Sequence, residues 1–303
     1  MTRSMTLPLW GVLIVTATLF GSSFLFIKIS LADIPPFTLA AGRAALAAIA
    51  VILFLYLSGG RLPRPGKIWV PMTVLGLLTA VLPYVAIAFG QLHIDSSLGG
   101  ILFATIPVFS VLIAPLVLKE EQLTPSRITG VLTGFAGVIL AIGPDALSGL
   151  GTQLLGAGGT ILAALSYASG TIFARTLGGT SPIVLAAGQL FVAALVLIPV
   201  SLLVDTPWTL SPAPGPLASL VLVALLNTAI PVLLMFWLVR NAGASNTSLL
   251  AFFMPVASVL LGVLVMGESL GWFVVLGFGF IISGAGLVTG TFRLHRRAVP
   301  RRS

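Results

Sequence analysis

The chain contains no cysteine, which excludes disulfides and thiolate metal sites. It has two histidines, His93 and His295, far apart and in neither HxxxH nor HExxH spacing. No catalytic metal and no other cofactor is expected. Charge is scarce: 7% of the 303 residues are charged, where soluble domains carry roughly a quarter. A soluble core of this size needs a polar coat, and this composition cannot supply one. All seven acids lie between apolar runs or at their ends, never in the middle. An enzyme working inside a membrane needs a nucleophile with a base, or a carboxylate pair, at that depth. FGSSF (20–24) is not GxSxG, and no His or Asp lies within a run. The chain is therefore not expected to be an enzyme.

What is present is hydrophobic: 58% of residues are apolar, in runs longer than the ~18 needed to span hydrocarbon. Short alternating strands, the mark of a membrane barrel, do not occur. The chain reads as an all-α membrane protein whose partner is the lipid bilayer. Its net charge of +8 sits in short clusters between the runs, so no nucleic acid is expected. The first run, after Arg3, is about twenty residues long and lacks a small-x-small cleavage site. It reads as a retained first helix, and no organelle transit signal is recognisable.

Pro and Gly at the breaks divide the chain into ten spans. They cover approximately 8–29, 36–57, 68–89, 96–118, 126–143, 153–176, 182–204, 216–238, 245–266 and 270–290. With the N-terminus in the cytoplasm, 13 of 15 basic residues fall inside, the tail arginines 293, 296, 297, 301 and 302 among them. Five of the seven acids (Asp33, Asp95, Asp145, Asp205, Glu268) fall outside. This positive-inside pattern supports ten spans with both termini cytoplasmic.

The chain also repeats itself. LAAGRAALAA (39–48) returns as LAAGQLFVAA (185–194). FGSSFLFIK (20–28) is matched by YASGTIFAR (167–175), and LLTAVLPY (77–84) by LLNTAIPV (225–232). ATIPVFSVLIAPLVLKE (104–120) is matched by FFMPVASVLLGVLVMGE (252–268), and TGVLTGFAG (129–137) by LGFGFIISG (276–284). The offset stays between 146 and 148. The expected domains are a first five-helix repeat over 8–145, a second over 150–290, and a basic cytoplasmic tail over 291–303. An odd number of spans per half inverts the second half. Inverted repeats are typical of secondary transporters with a site near the midplane.

Three features carry a resemblance to a known family: five-plus-five spans, the small-residue stretch FGSSF late in the first span, and PxxLAxxR (36–43) opening the second. A fourth is a mid-span proline with a terminal Glu in IPVFSVLIAPLVLKE (106–120), echoed by Pro255 and Glu268. In these the chain resembles the drug/metabolite transporter superfamily, EamA type. By overall likeness it looks most like the YddG-type exporters of aromatic amino acids. The resemblance implies ten helices around a central cavity lined by spans one to four and six to nine, with five and ten peripheral. It also implies export of small organic metabolites across a bacterial inner membrane.

Arg43 lies about seven residues into the second span, roughly 10 Å from its end. An ionisable residue there is a functional candidate by default. Its guanidinium could hold a substrate carboxylate in a bidentate fork, or tie helix-end carbonyls together as a structural or gating residue. Gln189, its counterpart, carries no charge. The third span offers Thr79, Pro83 and Tyr84, and the eighth offers Asn227, Thr228 and Pro231. Proline inside a span frees a carbonyl, and broken helices line cavities. Tyr84 and Tyr167, two of three tyrosines, lie inside spans, away from the interfaces where tyrosine is usual.

The candidate substrate contacts are Ser22, Arg43, Thr79, Tyr84, Tyr167, Asn227 and Trp237. Pro83, His93, Gln189 and Pro231 are candidates for the gates or pathway. Most of the serines, Ser22, Ser23, Ser166 and Ser169, read equally as small residues for close helix packing. Glu120 and Glu268 are expected to cap neighbouring helix N-termini. Gly130 and Gly134 form a GxxxG aimed at another helix of the same chain rather than at a second copy. A monomer is favoured, with a dimer possible.

The missing mid-span carboxylate points to facilitated diffusion or exchange of a small-molecule substrate, amino acids first, rather than proton coupling. The alternative is a proton-coupled exporter of drugs or other metabolites.

Overall fold

The structure, a computed structural model, describes residues 5–118, 123–143 and 152–290. Its elements are helices, and no strand occurs among the described residues. Nine are long and apolar enough to cross a membrane: α1 (Leu7–Ser30), α2 (Pro36–Leu57), α3 (Trp69–Gln91), α4 (Ser96–Val117), α5 (Pro125–Ile142), α6 (Thr152–Arg175), α7 (Pro182–Val204), α8 (Pro214–Ala242) and α10 (Trp272–Thr289). α9 (Leu250–Met266) is apolar and has 17 residues, at the lower limit for a span. The eighth and ninth spans depart from the sequence expectation. α8 runs on to Ala242 and is stopped by Gly243 at φ +87°, a conformation that glycine adopts without a Cβ penalty. A separate turn, Ala244–Thr247, precedes α9, which begins later than the apolar run suggests. Lys119, Glu120, Asp145, His295 and the basic tail lie outside the described residues.

The halves pack on each other through their equivalent elements. The stretches LAAGRAALAA and LAAGQLFVAA face one another: Ala40, Ala41, Ala44 and Ala47 of α2 share one core with Ala186, Ala187, Leu190 and Ala193 of α7. α5 and α10 meet in the same manner. A Cβ at Gly137 would lie 2.7 Å from the Gly277 carbonyl, and one at Gly130 would lie 2.8 Å from the Gly284 carbonyl. Lipid is as apolar as leucine, so helix association here depends on close backbone approach over small residues. The GxxxG of α5 therefore finds its partner within the chain.

At one end of the bundle, carboxylates of one repeat cap helices of the other. No side chain of their own caps α2, α4 or α8. Asp205, just past α7, accepts from Thr38 N at 2.6 Å and Thr38 Oγ1 at 3.0 Å in the first turn of α2. Asp33 accepts from Ala213 N at 2.9 Å, at the start of α8. Glu268, just past α9, takes Ser96 N at 2.8 Å, Ser96 Oγ at 2.7 Å and Ser97 N at 2.9 Å, and the Ser97 hydroxyl as well. Each carboxylate satisfies orphan N–H groups and sits at the positive end of a helix dipole. The cap expected of Glu268 is thus found on α4. Lys28, at the end of α1, donates to the carbonyls of Gln91 and Ile94 at 2.7 and 2.8 Å, at the negative end of α3.

Two predictions follow from this packing. Gly277→Leu drives a side chain into the backbone of α5, whereas Gly279 has nothing within 4 Å of its Cβ position. Overpacking costs about 1–3 kcal/mol, so Gly277→Leu is expected to lower the detergent melting temperature by about 5 °C and Gly279→Leu to leave it unchanged. Equal melting of the two variants contradicts the close α5–α10 contact. The second concerns acid. Burial pushes the Glu268 carboxyl up, but the hydrogen bonds from Ser97 and Ser96 outweigh it and hold the group below its ordinary 4.5. The cap therefore contributes fully above that value and is lost as pH falls through the lowered one. The melting-temperature gap between wild type and Glu268→Gln should be widest above pH 4.5 and narrow below it; a gap that is constant with pH refutes the cap.

Candidate functional site

The two halves share a local irregularity. α3 changes to a π-helix at Leu77–Val81, and α8 does so at Leu225–Ala229. These are the matched segments LLTAV and LLNTA, each followed by a buried proline, Pro83 or Pro231. A π-turn bonds i to i+5 and is frequently found at functional positions. In that register Pro83 withholds the N–H that the Leu78 carbonyl would receive. Ser166 of α6 supplies the missing donor, its Oγ lying 2.8 Å from Leu78 O.

Each π-turn also receives a polar side chain from the other repeat. Arg43 of α2 reaches α8, where its Nε donates to Thr228 Oγ1 at 2.9 Å. Thr228 in turn donates to the Val223 carbonyl at 2.8 Å. Gln189 of α7 reaches α3, where its side-chain amide lies 2.9 Å from Thr79 Oγ1. Thr79 also lies 2.7 Å from the Leu75 carbonyl. A hydroxyl has one proton and the carbonyl can only accept. The amide therefore presents its nitrogen to Thr79, an orientation assigned from the hydrogen-bond network. The two contacts are alike in kind though one position apart in the matched segments: a polar side chain on the second helix of one half meets a threonine on the π-turn of the other.

The charged contact is the more elaborate one. The Arg43 carbon Cζ lies 3.9 Å from the centre of the Tyr84 ring, a cation–π distance. The Tyr84 hydroxyl interacts with Thr228 and Arg43. Tyr167 stands beside this group and meets Phe103 edge-on at 5.8 Å, and Phe103 meets Phe24 at 5.6 Å. Arg43, Tyr84 and Thr228 are buried. No carboxylate pairs with Arg43 among the described residues. On the far side of Thr228, Asn227 gives its amide protons to the Leu19 carbonyl and, at 2.6 Å, to Ser22 Oγ. Its Oδ1 is buried without a partner. α1 is interrupted at Ser22, so the small-residue stretch FGSSF both breaks the helix and receives Asn227.

The structure thus brings Ser22, Arg43, Tyr84, Tyr167 and Asn227 into one cluster, with Thr79 and Gln189 in the equivalent contact. Two of the sequence candidates lie elsewhere. Trp237 is 44% exposed and sits nine residues past Thr228, about 13 Å further along α8. His93 is exposed in the turn after α3. Thr228, Phe103 and Phe24 complete the cluster and were not among the candidate contacts. Thr228 stood out in the sequence only as a polar residue of the eighth span, beside Asn227 and Pro231. Gln91 was also missed: its amide is fully buried and both polar atoms lack a partner.

The EamA-like transporter family profile matches residues 9–143 and again 154–290. The chain belongs to this family. Its proteins have two repeats of five helices, and the ten helices here are that arrangement. The inner membrane transporter YedA of Escherichia coli is 28% identical over 93% of this chain and 91% of its own. The transporter YoaV of Bacillus subtilis is 24% identical over 95% and 98%, and protein PecM of Dickeya dadantii is 27% identical over 84% and 83%. A crystal structure at 21% identity aligns with a TM-score of 0.67 over 92% of this chain and 96% of its own, which speaks for the fold alone. The protein is a multi-pass membrane transporter of small metabolites.

Replacing Ser166 with Ala leaves the Leu78 carbonyl without its donor, at a cost of about 1 kcal/mol and about 3 °C in melting temperature. Ser169 bonds only within its own helix, to Leu165 O at 2.8 Å, so Ser169→Ala should melt as wild type. Indistinguishable melting of the two variants argues against the π-turn repair.

Proposed function

We propose that the protein exports amino acids, with aromatic ones favoured, by alternating access between its two halves. The halves are the repeats over 8–145 and 150–290, followed by a basic cytoplasmic tail, with both termini on the cytoplasmic side. The observation that supports this reading is the buried Arg43 guanidinium, stacked on Tyr84, anchored through one nitrogen to Thr228 and without a carboxylate partner among the described residues. A charge in hydrocarbon requires a partner, and a guanidinium matches a carboxylate through two parallel hydrogen bonds. The substrate's own carboxylate is that partner. The rings of Tyr167, Phe103 and Phe24 form a line beside it and would take an aromatic side chain. A cationic drug finds no counter-charge at this depth among the described residues.

The π-turns before Pro83 and Pro231, with Gln189 and Arg43 crossing to them, serve as the paired hinges. His93 is at most a peripheral part of the pathway. Among the described residues carboxylates sit at helix ends rather than at the cluster, so transport runs as facilitated diffusion or exchange. The protein works as a monomer.

The test is flux of labelled phenylalanine and tryptophan from proteoliposomes, beside alanine, a nucleoside and a cationic dye, with and without a pH gradient. Saturable flux of the aromatic pair without a gradient is expected. Arg43→Gln should cut it at least about tenfold, since hydrogen bonds to charged groups are worth ~1.5–3 kcal/mol, with protein yield unchanged. Wild-type flux and yield in that variant would sink the carboxylate role, and uphill flux driven by a proton gradient would sink the uncoupled mechanism.

A further inference from the structure

The two π-turns carry the same proline, and the side chain that answers it in one has no equivalent in the other. Pro83 leaves the Leu78 carbonyl without its N–H, and Ser166 Oγ fills the gap at 2.8 Å. Pro231 leaves the Leu226 carbonyl without its N–H by the same i→i+5 arithmetic. The residue that corresponds to Ser166 in the other half is Leu19, which has no hydroxyl. One residue along, Asn227 spends both amide protons on Leu19 O and Ser22 Oγ. Those two bonds fix which way the amide points, so its Oδ1 is the atom left buried and unpartnered. The α8 π-turn therefore presents a buried acceptor without a partner, Asn227 Oδ1, beside the Leu226 carbonyl, to which Pro231 brings no N–H. The next residue, Thr228, anchors Arg43 at 2.9 Å.

Acceptors without donors call for a ligand rich in N–H groups. A primary ammonium carries three. A fixed carboxylate would be the stronger acceptor, but it would stand beside the Arg43 guanidinium and neutralise it. Neutral acceptors leave that charge free for the substrate. A ligand with an ammonium on the Asn227 side and a carboxylate on the Arg43 side enters with no net charge and satisfies both ends.

We propose that the α8 π-turn is a subsite for the substrate's α-ammonium group, with Asn227 Oδ1 and the Leu226 carbonyl as its acceptors. This rests on the amino-acid reading above and deepens it: the protein selects zwitterions and rejects the same carboxylic acid without its amine. The α3 π-turn, capped by Ser166, makes no such selection.

Two probes separate the claims: L-phenylalanine and 3-phenylpropanoate, which differ only in the ammonium group. In proteoliposomes at low substrate concentration, wild type should carry phenylalanine at least about tenfold faster than 3-phenylpropanoate, because a site built to bond a group discriminates against its absence. Asn227→Leu should lose that preference by slowing phenylalanine while sparing 3-phenylpropanoate. A wild type that carries both compounds alike overturns the ammonium subsite alone, and this comparison needs no variant to fold. An Asn227→Leu protein that slows both equally also overturns it. A wild type that carries neither overturns the amino-acid reading together with this one.

Discussion

Hydrocarbon offers no hydrogen bond, so every polar group at membrane depth must be answered by the protein itself. That constraint organises the structure. Several places where a helix begins, ends or loses a backbone bond are met by a side chain from elsewhere in the chain. Asp205, Glu268 and Asp33 answer the N-termini of α2, α4 and α8. Lys28 answers the C-terminus of α3, and Ser166 answers the carbonyl that Pro83 releases. In the carboxylate caps donor and acceptor belong to different halves. The halves are thus held together by polar groups that neither could satisfy alone, over small-residue surfaces that allow the backbones to approach.

The symmetric frame carries a charge on one side only. Arg43 and Gln189 occupy equivalent places, and each hydrogen-bonds a threonine on the opposite π-turn. An amide can make that bond and stop there. A guanidinium uses Nε for the bond and still has a charge and four further N–H donors to place. The Tyr84 face takes part of the charge, and the remainder is what the proposed substrate carboxylate would answer. The same asymmetry runs through the acceptors, since Asn227 Oδ1 has no partner while the amide of Gln189 meets Thr79.

Much of the cluster was legible in the sequence because rarity is informative there. An arginine in an apolar run, two tyrosines away from the interfaces and prolines inside spans each carry a cost that needs a reason. Arg43, Tyr84, Tyr167, Asn227 and Ser22 were found that way. The place of Trp237, apart from the cluster, was not legible because an aromatic in a membrane span has no such cost: lipid accepts it as readily as a core does, and its direction depends on helix rotation. Thr228 and Ser166 were less visible for a similar reason. A hydroxyl can bond its own helix, as Ser169 does, and sequence does not say which hydroxyls turn outward. The caps by Asp33 and Asp205 join residues 180 and 167 positions apart, and no local pattern encodes such a pairing.

Composition and periodicity alone determined that this is a ten-helix membrane protein of two similar halves. Apolar length and the matched offsets are sums over many residues and are insensitive to detail. Only the tertiary structure decided which polar atoms meet and which are left over. The π register at 77–81 and 225–229 and the meeting of Arg43 with Thr228 are each set by a few contacts between helices. So is the burial of Asn227 Oδ1. These depend on the rotation and depth of each helix, and the packing of the other nine sets both.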